Sequence, residues 1–274
     1  MNPEIMHSLQ ELLPQIQGYI YPNEIEIHWG MLIVVYPYIT GVVAGAFILA
    51  SLVKVFNVKE VQPLYRLSLL TALAYLLVAP MALVSHLGHP GRFYEILLTP
   101  QTSSAMAMFG FVYAWYLMAV LLLEIWFVHR TDMIAWAEEK KGVMRFVYRA
   151  LSLFSRDTSE RGIAFDHSAL KTITIIGIPS AFLLHGYVGF IFGSIKANPW
   201  WSTPLMPIVF LFSAIVSGIA CILLLYFVTC WLRRVPVDMP CVDTIAKYLH
   251  YAFLVDFSLE MLDLIHRLYE ADES

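Results

Sequence analysis

Residues 204–232 read PLMPIVFLFSAIVSGIACILLLYFVTCWL and contain no Lys, Arg, Asp or Glu. A helix needs about 20 consecutive apolar residues to cross a bilayer core of about 30 Å, so this stretch is long enough for a membrane span. Four further stretches are free of charged residues over similar lengths. They lie between Glu26 and Lys54, between Arg66 and Arg92, between Glu95 and Glu124, and between Lys171 and Lys196.

The composition of the whole chain agrees with a membrane protein. Hydrophobic residues make up 59% of the 274 residues and charged residues 14%, and the mean hydropathy is +0.68. Soluble domains carry about 25% charged residues. The 17 Lys and Arg against 21 Asp and Glu leave no basic surplus for nucleic acid. Three cysteines without a CxxC pair argue against a metal site or an iron–sulfur cluster held by this chain.

We predict an all-α integral membrane protein with six transmembrane helices in one domain over residues 29–268. The sixth helix is the least apolar, because it carries acidic residues among its apolar and aromatic ones. Residues 1–28 contain no Lys or Arg and no long apolar run, so we interpret them as a periplasmic lead-in rather than a signal peptide. Residues 269–274 form a tail. The predicted helices are 29–54, 63–87, 104–128, 169–194, 204–232 and 243–268.

Basic residues predict the orientation in the membrane, because loops on the cytoplasmic side are enriched in Lys and Arg. The loops after the first, third and fifth helices, with their flanks, hold 14 of the 17 basic residues. We therefore expect a multi-pass protein of the prokaryotic inner membrane with a periplasmic N-terminus.

Apolar residues recur at helical spacing in the long third loop, with Lys and Arg between them. This pattern predicts an amphipathic helix on the anionic inner leaflet of the bilayer. A solvated basic loop that only sets the topology is an equally good interpretation. The apolar residues are Met133, Trp136, Val143, Phe146, Val147, Ala150, Leu151 and Phe154.

Small residues and prolines inside the predicted helices indicate how the helices pack. Gly41 and Gly45 in the first helix, and Ser217 and Gly218 in the fifth, allow the close backbone approach that drives helix association in lipid. Prolines inside helices kink them or open local cavities. Those prolines are Pro37, Pro80, Pro179 and Pro207.

Polar side chains concentrate near the predicted periplasmic ends of the helices. His185 lies 11 residues before Lys196, which is about 16 Å below that surface at 1.5 Å per residue. An ionisable residue inside a span costs about 2.5–3.5 kcal/mol and is a functional hypothesis by default. The alternative is a neutral imidazole bonded to a carbonyl that Pro179 frees or to a nearby serine. The other residues on this side are His28, Tyr36, His86, His89, Arg92, Trp200 and Trp201.

The sixth predicted helix carries a separate set of charged residues. Asp256, Glu260, Asp263 and Arg267 are spaced to share one helical face, which cannot face lipid. They form either a path for protons or ion pairs with other helices or subunits.

An amphipathic redox carrier such as a quinone fits the periplasmic groups. It needs an apolar slot for its tail and a His or Tyr at its carbonyl oxygens, and a histidine can exchange a proton with a quinol oxygen near neutral pH. Three alternatives stay open. They are a b-type cytochrome with His86 and His185 as axial ligands, a transporter, and a structural anchor that binds no quinone.

Three segments carry a resemblance to a known family. They are His28-Trp29-Gly30, the run LGHPGRF over 87–93, and Leu184-His185-Gly186-Tyr187 with its continuation to Pro207. Over about residues 25–268 the chain resembles the NrfD/polysulfide-reductase membrane-subunit family, and within it the DsrP-like and HybB-like members. Relatives of that type continue with further helices.

The resemblance implies a subunit without haem or iron–sulfur cluster, which exchanges electrons between menaquinone or ubiquinone and a docked periplasmic ferredoxin-like [4Fe–4S] subunit. The complex would include other membrane redox subunits of cytochrome b or c type and serve sulfur- or sulfite-linked anaerobic respiration. Matching motifs make His28, Arg92 and His185 the candidate catalytic residues. The candidate quinone-binding residues are Tyr36, His86, His89, Tyr187 and Trp201, and the candidate proton path is Asp256, Glu260 and Asp263.

Overall fold

The computed structural model describes residues 29–99, 101–196 and 198–270, all of them in helices or the loops between them. The predicted lead-in 1–28, which includes His28, and residues 271–274 lie outside the described part of the chain. The helices are α1 Met31–Lys54, α2 Tyr65–His86, α3 Glu95–Leu98, α4 Ala105–Trp115, α5 Leu123–Glu139, α6 Gly142–Leu151, α7 Glu160–Gly193, α8 Met206–Arg233 and α9 Met239–Glu270.

Three shorter elements join these helices. A 3-10 turn over Lys59–Leu64 precedes α2, and a second over Pro90–Arg92 precedes α3. A π-helical segment, Tyr116–Leu122, joins α4 to α5 without a break, so the two run as one long helix.

Among the described residues, five segments are long and apolar enough to cross a membrane, and they correspond to the first five predicted spans. The predicted sixth span forms as α9, a continuous helix of 32 residues. It is not among the five segments, since its acidic residues lower its apolar character, and its crossing stays a prediction. The five segments are Met31–Lys54, Lys59–His86, Ala105–Glu139, Glu160–Gly193 and Met206–Arg233.

Two helices extend well past their predicted ends. The third predicted span, 104–128, continues to Glu139, and the fourth, 169–194, begins at Glu160, where the Ser159 hydroxyl accepts the Gly162 N–H at 3.2 Å. Charge-free windows mark only the part of a helix that lies in lipid. The length of a helix that continues into water with charged residues is therefore underestimated.

α1 lies at the centre of the bundle, packed against α2, α7 and α8. At its contact with α8 the backbones of Gly45 and Gly218 meet. A Cβ atom on Gly45 would lie 2.1 Å from the Ala214 carbonyl oxygen, and one on Gly218 would lie 2.5 Å from the Gly45 Cα. The close packing predicted from these small residues is thus present, and no other residue fits at either position without moving backbone.

α6 folds back along α5 as a helical hairpin. The Trp126 indole N–H donates to the Leu151 carbonyl at 2.9 Å, and the rings of Trp136 and Tyr148 lie 5.4 Å apart. The predicted amphipathic helix is therefore shorter than expected, because Met133 and Trp136 belong to α5 and the chain turns before α6. No residue of α6 is buried, and its position on a membrane surface stays a prediction.

A buried ion pair fixes the segment that follows this hairpin. Arg130 on α5 and Asp166 on α7 are 5% and 6% exposed, and their closest charged atoms are 2.7 Å apart. The Arg130 Nη1 also donates to the Ser155 hydroxyl at 2.9 Å and to the Asp157 carbonyl at 2.8 Å. One guanidinium therefore joins α5, α7 and the loop between α6 and α7.

The two ends of the bundle differ in charge. We call the end that holds Lys54, Arg66 and the loop between α6 and α7 the basic end. The opposite end holds the residues between α2 and α4 and those between α7 and α8. At the basic end Arg66 pairs with Asp132 at 2.8 Å.

Candidate functional site

His185 is enclosed where α1, α7 and α8 meet. Its side chain is 3% exposed, and its Nδ1 lies 3.4 Å from the Thr40 hydroxyl oxygen. The backbone of Phe210 is a second hydrogen-bonding neighbour, and the Phe210 ring lies 5.5 Å from the imidazole. A Cβ atom on Gly41 would approach the imidazole to 3.2 Å. The polar neighbours of the imidazole therefore belong to α1 and α8. The partners suggested by the sequence were a backbone carbonyl that Pro179 leaves without a donor, or a nearby serine.

A row of aromatic rings runs from α1 to α7 at the opposite end. Tyr36 is 4% exposed and lies edge-on to Phe109 at 5.7 Å. Phe109 stacks on Tyr187 at 6.0 Å, and Tyr187 lies 5.9 Å from Phe190. The Tyr187 hydroxyl donates to the Ala105 carbonyl at 2.6 Å. The Tyr36 hydroxyl is buried and has no hydrogen-bond partner among the described residues, so it can bind water or a ligand.

Pro80 alters the hydrogen bonding of α2 beside this row. Proline has no N–H, so the carbonyl of Leu76, four residues earlier, loses its helical donor. The Tyr113 hydroxyl donates to that carbonyl instead. This contact ties α4 to α2 and satisfies a backbone group that would otherwise be left unpaired in the membrane.

A cavity of about 380 Å³ lies where the C-terminal end of α7 approaches the N-terminal end of α8. The end of α7 lies close to the chain that leads into α8, since a Cβ atom on Gly193 would lie 2.7 Å from the Thr203 carbonyl oxygen and 2.9 Å from the Met206 Cβ. The cavity begins where the aromatic row ends, since both include Phe190. Its lining combines apolar and hydroxyl-bearing side chains, namely Phe190, Gly193, Ser194, Ser202, Thr203, Pro204 and Pro207.

Trp201 belongs to an aromatic cluster between α1, α7 and α8. Its ring lies 5.2 Å from Phe192 and 6.1 Å from Trp29, and Phe192 lies 5.6 Å from Phe210. Phe210 in turn contacts His185. The cluster therefore links the predicted ligand residue Trp201 to the enclosed imidazole.

His86, His89 and Arg92 lie at the same end of the bundle but outside this cluster. All three are exposed, and the side chain of Arg92 is 67% exposed. Arg92 donates two hydrogen bonds to Glu95, at 2.8 and 2.9 Å, and these hold the pKa of Glu95 below its usual value. The structure does not bring these residues to His185. His86 is exposed whereas His185 is enclosed, so the two histidines that the cytochrome alternative pairs lie in different surroundings.

The acidic residues of α9 do not form one buried stripe. Asp256 is buried, with one carboxylate oxygen that has no partner among the described residues, whereas Glu260 is exposed. Asp263 pairs with Arg267 at 2.7 Å. Arg267 also donates to the Pro199 carbonyl at 2.6 Å. This bond links α9 to the loop between α7 and α8, at the end of the bundle opposite the basic end.

Sequence reasoning missed two features. The cavity is lined by residues that do not titrate, and its only signal was the turn-rich run NPWWSTPLMP over 198–207. The sequence marks Glu124 on α5 only as the charged residue at the end of a charge-free stretch, yet its side chain is fully buried. Its signal was a lone carboxylate directly after a long apolar stretch.

These features define a multi-pass helical membrane protein with a ligand-sized cavity near one end. Comparison with known proteins identifies the family. The family model described as "Polysulphide reductase, NrfD" matches residues 22–268, and the chain belongs to this family.

Three relatives show how the similarity is distributed. A selenate reductase subunit of Mesobacillus selenatarsenatis is 36% identical over 72% of this chain and 47% of its own length. A putative dimethyl sulfoxide reductase membrane subunit of Halobacterium salinarum is 28% identical over 71% and 42%. The protein NrfD of Escherichia coli is 28% identical over 70% and 57%. The chain thus spans about half the length of these relatives.

Proposed function

We propose that this chain is the membrane subunit of a respiratory oxidoreductase, and that it binds menaquinone or ubiquinone in the cavity between α7 and α8. The observation that carries the proposal is this cavity of about 380 Å³ next to a row of aromatic rings, of which Tyr36 and Phe109 are buried and Tyr187 and Phe190 partly buried. Two of the relatives are named as reductase subunits, which supports the assignment to a redox complex.

The lining of the cavity suits a quinone ring. Small-molecule sites are pockets of about 300–1,000 Å³ with mostly apolar walls and a few placed polar groups. Phe190, Pro204 and Pro207 supply apolar wall. The Thr203 hydroxyl oxygen accepts the Leu205 N–H at 3.2 Å, which leaves its hydrogen for a carbonyl oxygen of the ligand. A bound quinone supplies two-electron redox chemistry coupled to two protons.

His185 lies outside the lining of this cavity, one helical turn or more along α7, and acts as a positioning residue. It precedes Phe190 by five residues, about 7.5 Å along α7. The Phe210 ring, which touches the imidazole, lies on α8 about one turn after Pro207 of the cavity wall. Thr40 on α1 and the backbone of Phe210 on α8 hold the orientation of this imidazole.

The electron partner is a docked ferredoxin-like subunit with [4Fe–4S] clusters, accompanied by cytochrome-type membrane subunits. Its docking surface is the opposite end of the bundle, which is the periplasmic end if the basic end is cytoplasmic. The proposed setting is sulfur- or sulfite-linked respiration in the prokaryotic inner membrane.

α9 completes the proposed topology as a sixth span. It packs against the 3-10 turn Lys59–Leu64 at the basic end, and its first turns include the fully buried Cys241 and Ile245. Its last turns reach the opposite end, where Arg267 bonds to Pro199. Its 32 residues extend about 48 Å, enough to cross a bilayer. Asp256 is then the acid of the predicted proton path that lies buried in this span.

Exchanging His185 for glutamine in the assembled complex tests the proposed function. Glutamine keeps a hydrogen-bonding group of similar reach, so the subunit should assemble. We expect quinol turnover to fall on the order of 100-fold, since the loss of one positioning group can cost that much.

The matched control is His129→Gln, since His129 is a partly buried histidine near the basic end with a hydrogen bond to the Ile125 carbonyl at 3.0 Å. Its turnover should equal that of the unmodified complex. Unchanged turnover in an assembled His185→Gln complex would favour the structural anchor.

A further inference from the structure

A second buried polar site lies at the basic end, far along the bundle from the proposed quinone cavity. Its centre is Glu124, which is 0% exposed and sits in the first turn of α5, directly after the π-helical segment Tyr116–Leu122. π-helical turns inside α-helices are frequent at functional sites. A carboxyl group buried within a membrane span is costly to keep, so it is expected to serve a function.

Only part of the hydrogen-bonding capacity of this site is used. The Tyr65 hydroxyl donates to Oε1 of Glu124 at 3.0 Å, while Oε2 is buried with no hydrogen-bond partner among the described residues. The hydroxyl of Tyr116, which lies near the Glu124 carboxyl, is also buried and has no such partner. The hydroxyl of Ser68, one turn after Tyr65 on α2, is in the same situation.

Such unsatisfied groups are the usual partners of an internal water. A buried water makes about three hydrogen bonds to polar groups that otherwise lack partners. Oε2 of Glu124 and the Tyr116 hydroxyl supply an acceptor and a donor from positions about two turns apart on one continuous helix. This geometry can hold a water against the carboxyl.

No cation contacts the Glu124 carboxyl directly in the described part of the chain. The Lys54 ammonium on α1 lies over the Tyr65 ring, 4.8 Å from its centre, and Arg66 on α2 is paired with Asp132. From α7 the Thr174 hydroxyl is a further hydrogen-bonding neighbour of the Glu124 carboxyl, and this hydroxyl also lies 2.8 Å from the Leu170 carbonyl oxygen. The charge on Glu124 is therefore not neutralised by an ion pair.

We propose that Glu124 is a proton-binding site that shares an internal water with Tyr116 and exchanges its proton with the aqueous phase at the basic end. In this exchange the carboxylate takes a proton that a hydronium ion of the aqueous phase delivers through the internal water, which leaves water and a carboxylic acid, and the reverse step returns the proton as hydronium. The half-buried Lys54, beside Tyr65, marks the side on which the site approaches solvent. The charged and titratable groups that face the site are Lys54, Tyr65, Arg66 and Tyr116.

Infrared difference spectroscopy on the purified full-length chain in lipid nanodiscs tests this proposal. The carbonyl stretch of a protonated carboxyl should be present at about pH 5 and lost on titration to about pH 9. The band should shift in D₂O, because the proton exchanges with solvent. It should be absent in Glu124→Gln.

Two further variants keep the test decisive. Glu60→Gln removes an exposed carboxylate from the 3-10 turn before α2 and should leave the band unchanged. Tyr65→Phe removes the one hydrogen bond to Oε1 and should shift the band even if Glu124→Gln fails to fold. A band that survives in Glu124→Gln, or that neither titrates nor responds to Tyr65→Phe, would overturn the proposal. The measurement involves no quinone, so it is independent of the proposed function.

Discussion

Replacing Gly45 by alanine is expected to cost about 3 kcal/mol of stability, the upper end of what overpacking a protein interior costs. The added methyl group would lie 2.1 Å from the carbonyl oxygen of Ala214 and 2.8 Å from the Cα of Gly218. Both obstacles are backbone atoms, so the side chains cannot relieve the clash. α1 and α8 would have to separate, and α1 is the helix around which the bundle is packed.

Gly186→Ala is the matched control for this variant. Gly186 also lies in a membrane-spanning helix, but its added methyl would meet only the Leu211 side chain at 3.7 Å, an ordinary contact. The loss of monodisperse protein on heating in detergent, followed by size-exclusion chromatography, compares the two variants. Equal thermal stability of Gly45→Ala and Gly186→Ala would show that the two helices do not touch at Gly45.

Arg130→Ala is expected to have the second large effect, about 3–5 kcal/mol, because removing one partner leaves Asp166 as an uncompensated buried charge. It also removes the donor to Ser155 and to the Asp157 carbonyl, so the loop between α6 and α7 should loosen. Thermal unfolding measures the first effect, and limited proteolysis of the loop measures the second.

Arg66→Ala serves as the control for Arg130→Ala. Its ion pair with Asp132 has side chains that are 55% and 31% exposed. Exposed pairs contribute about 0–1 kcal/mol. The double variant Arg130→Ala/Asp166→Ala should be less damaging than Arg130→Ala alone, since no lone charge is left behind. Equal losses of thermal stability in Arg130→Ala and Arg66→Ala would contradict the conclusion that the buried ion pair holds the loop in place.

The sequence predicted the membrane-embedded parts of the helices well, because the bilayer imposes both apolar composition and length. The fifth predicted span, 204–232, and the observed α8, Met206–Arg233, differ by only a few residues. The start of α7 at Glu160 was not predictable in this way, since those turns are charged and are set by a serine cap rather than by lipid.

From the sequence, single residues of the candidate site could be singled out, but the contacts between them could not be predicted. The sequence singled out His185 and Tyr36, and both are buried near the opposite end. It could not show that Thr40 and Phe210 surround His185, because those contacts depend on how α1 and α8 cross α7. For the same reason it grouped His86, His89 and Arg92 with His185. Proximity along the membrane normal does not require that side chains point towards one another.

Photoaffinity labelling of the assembled complex with an azidoquinone in native membranes tests the proposed quinone site most directly. The account predicts covalent label in the peptide that covers residues 190–207, which lines the cavity between α7 and α8. Excess unlabelled quinone should remove that label. Label confined to the peptide that covers 86–99, or label at 190–207 that unlabelled quinone does not displace, would contradict a quinone site in this cavity.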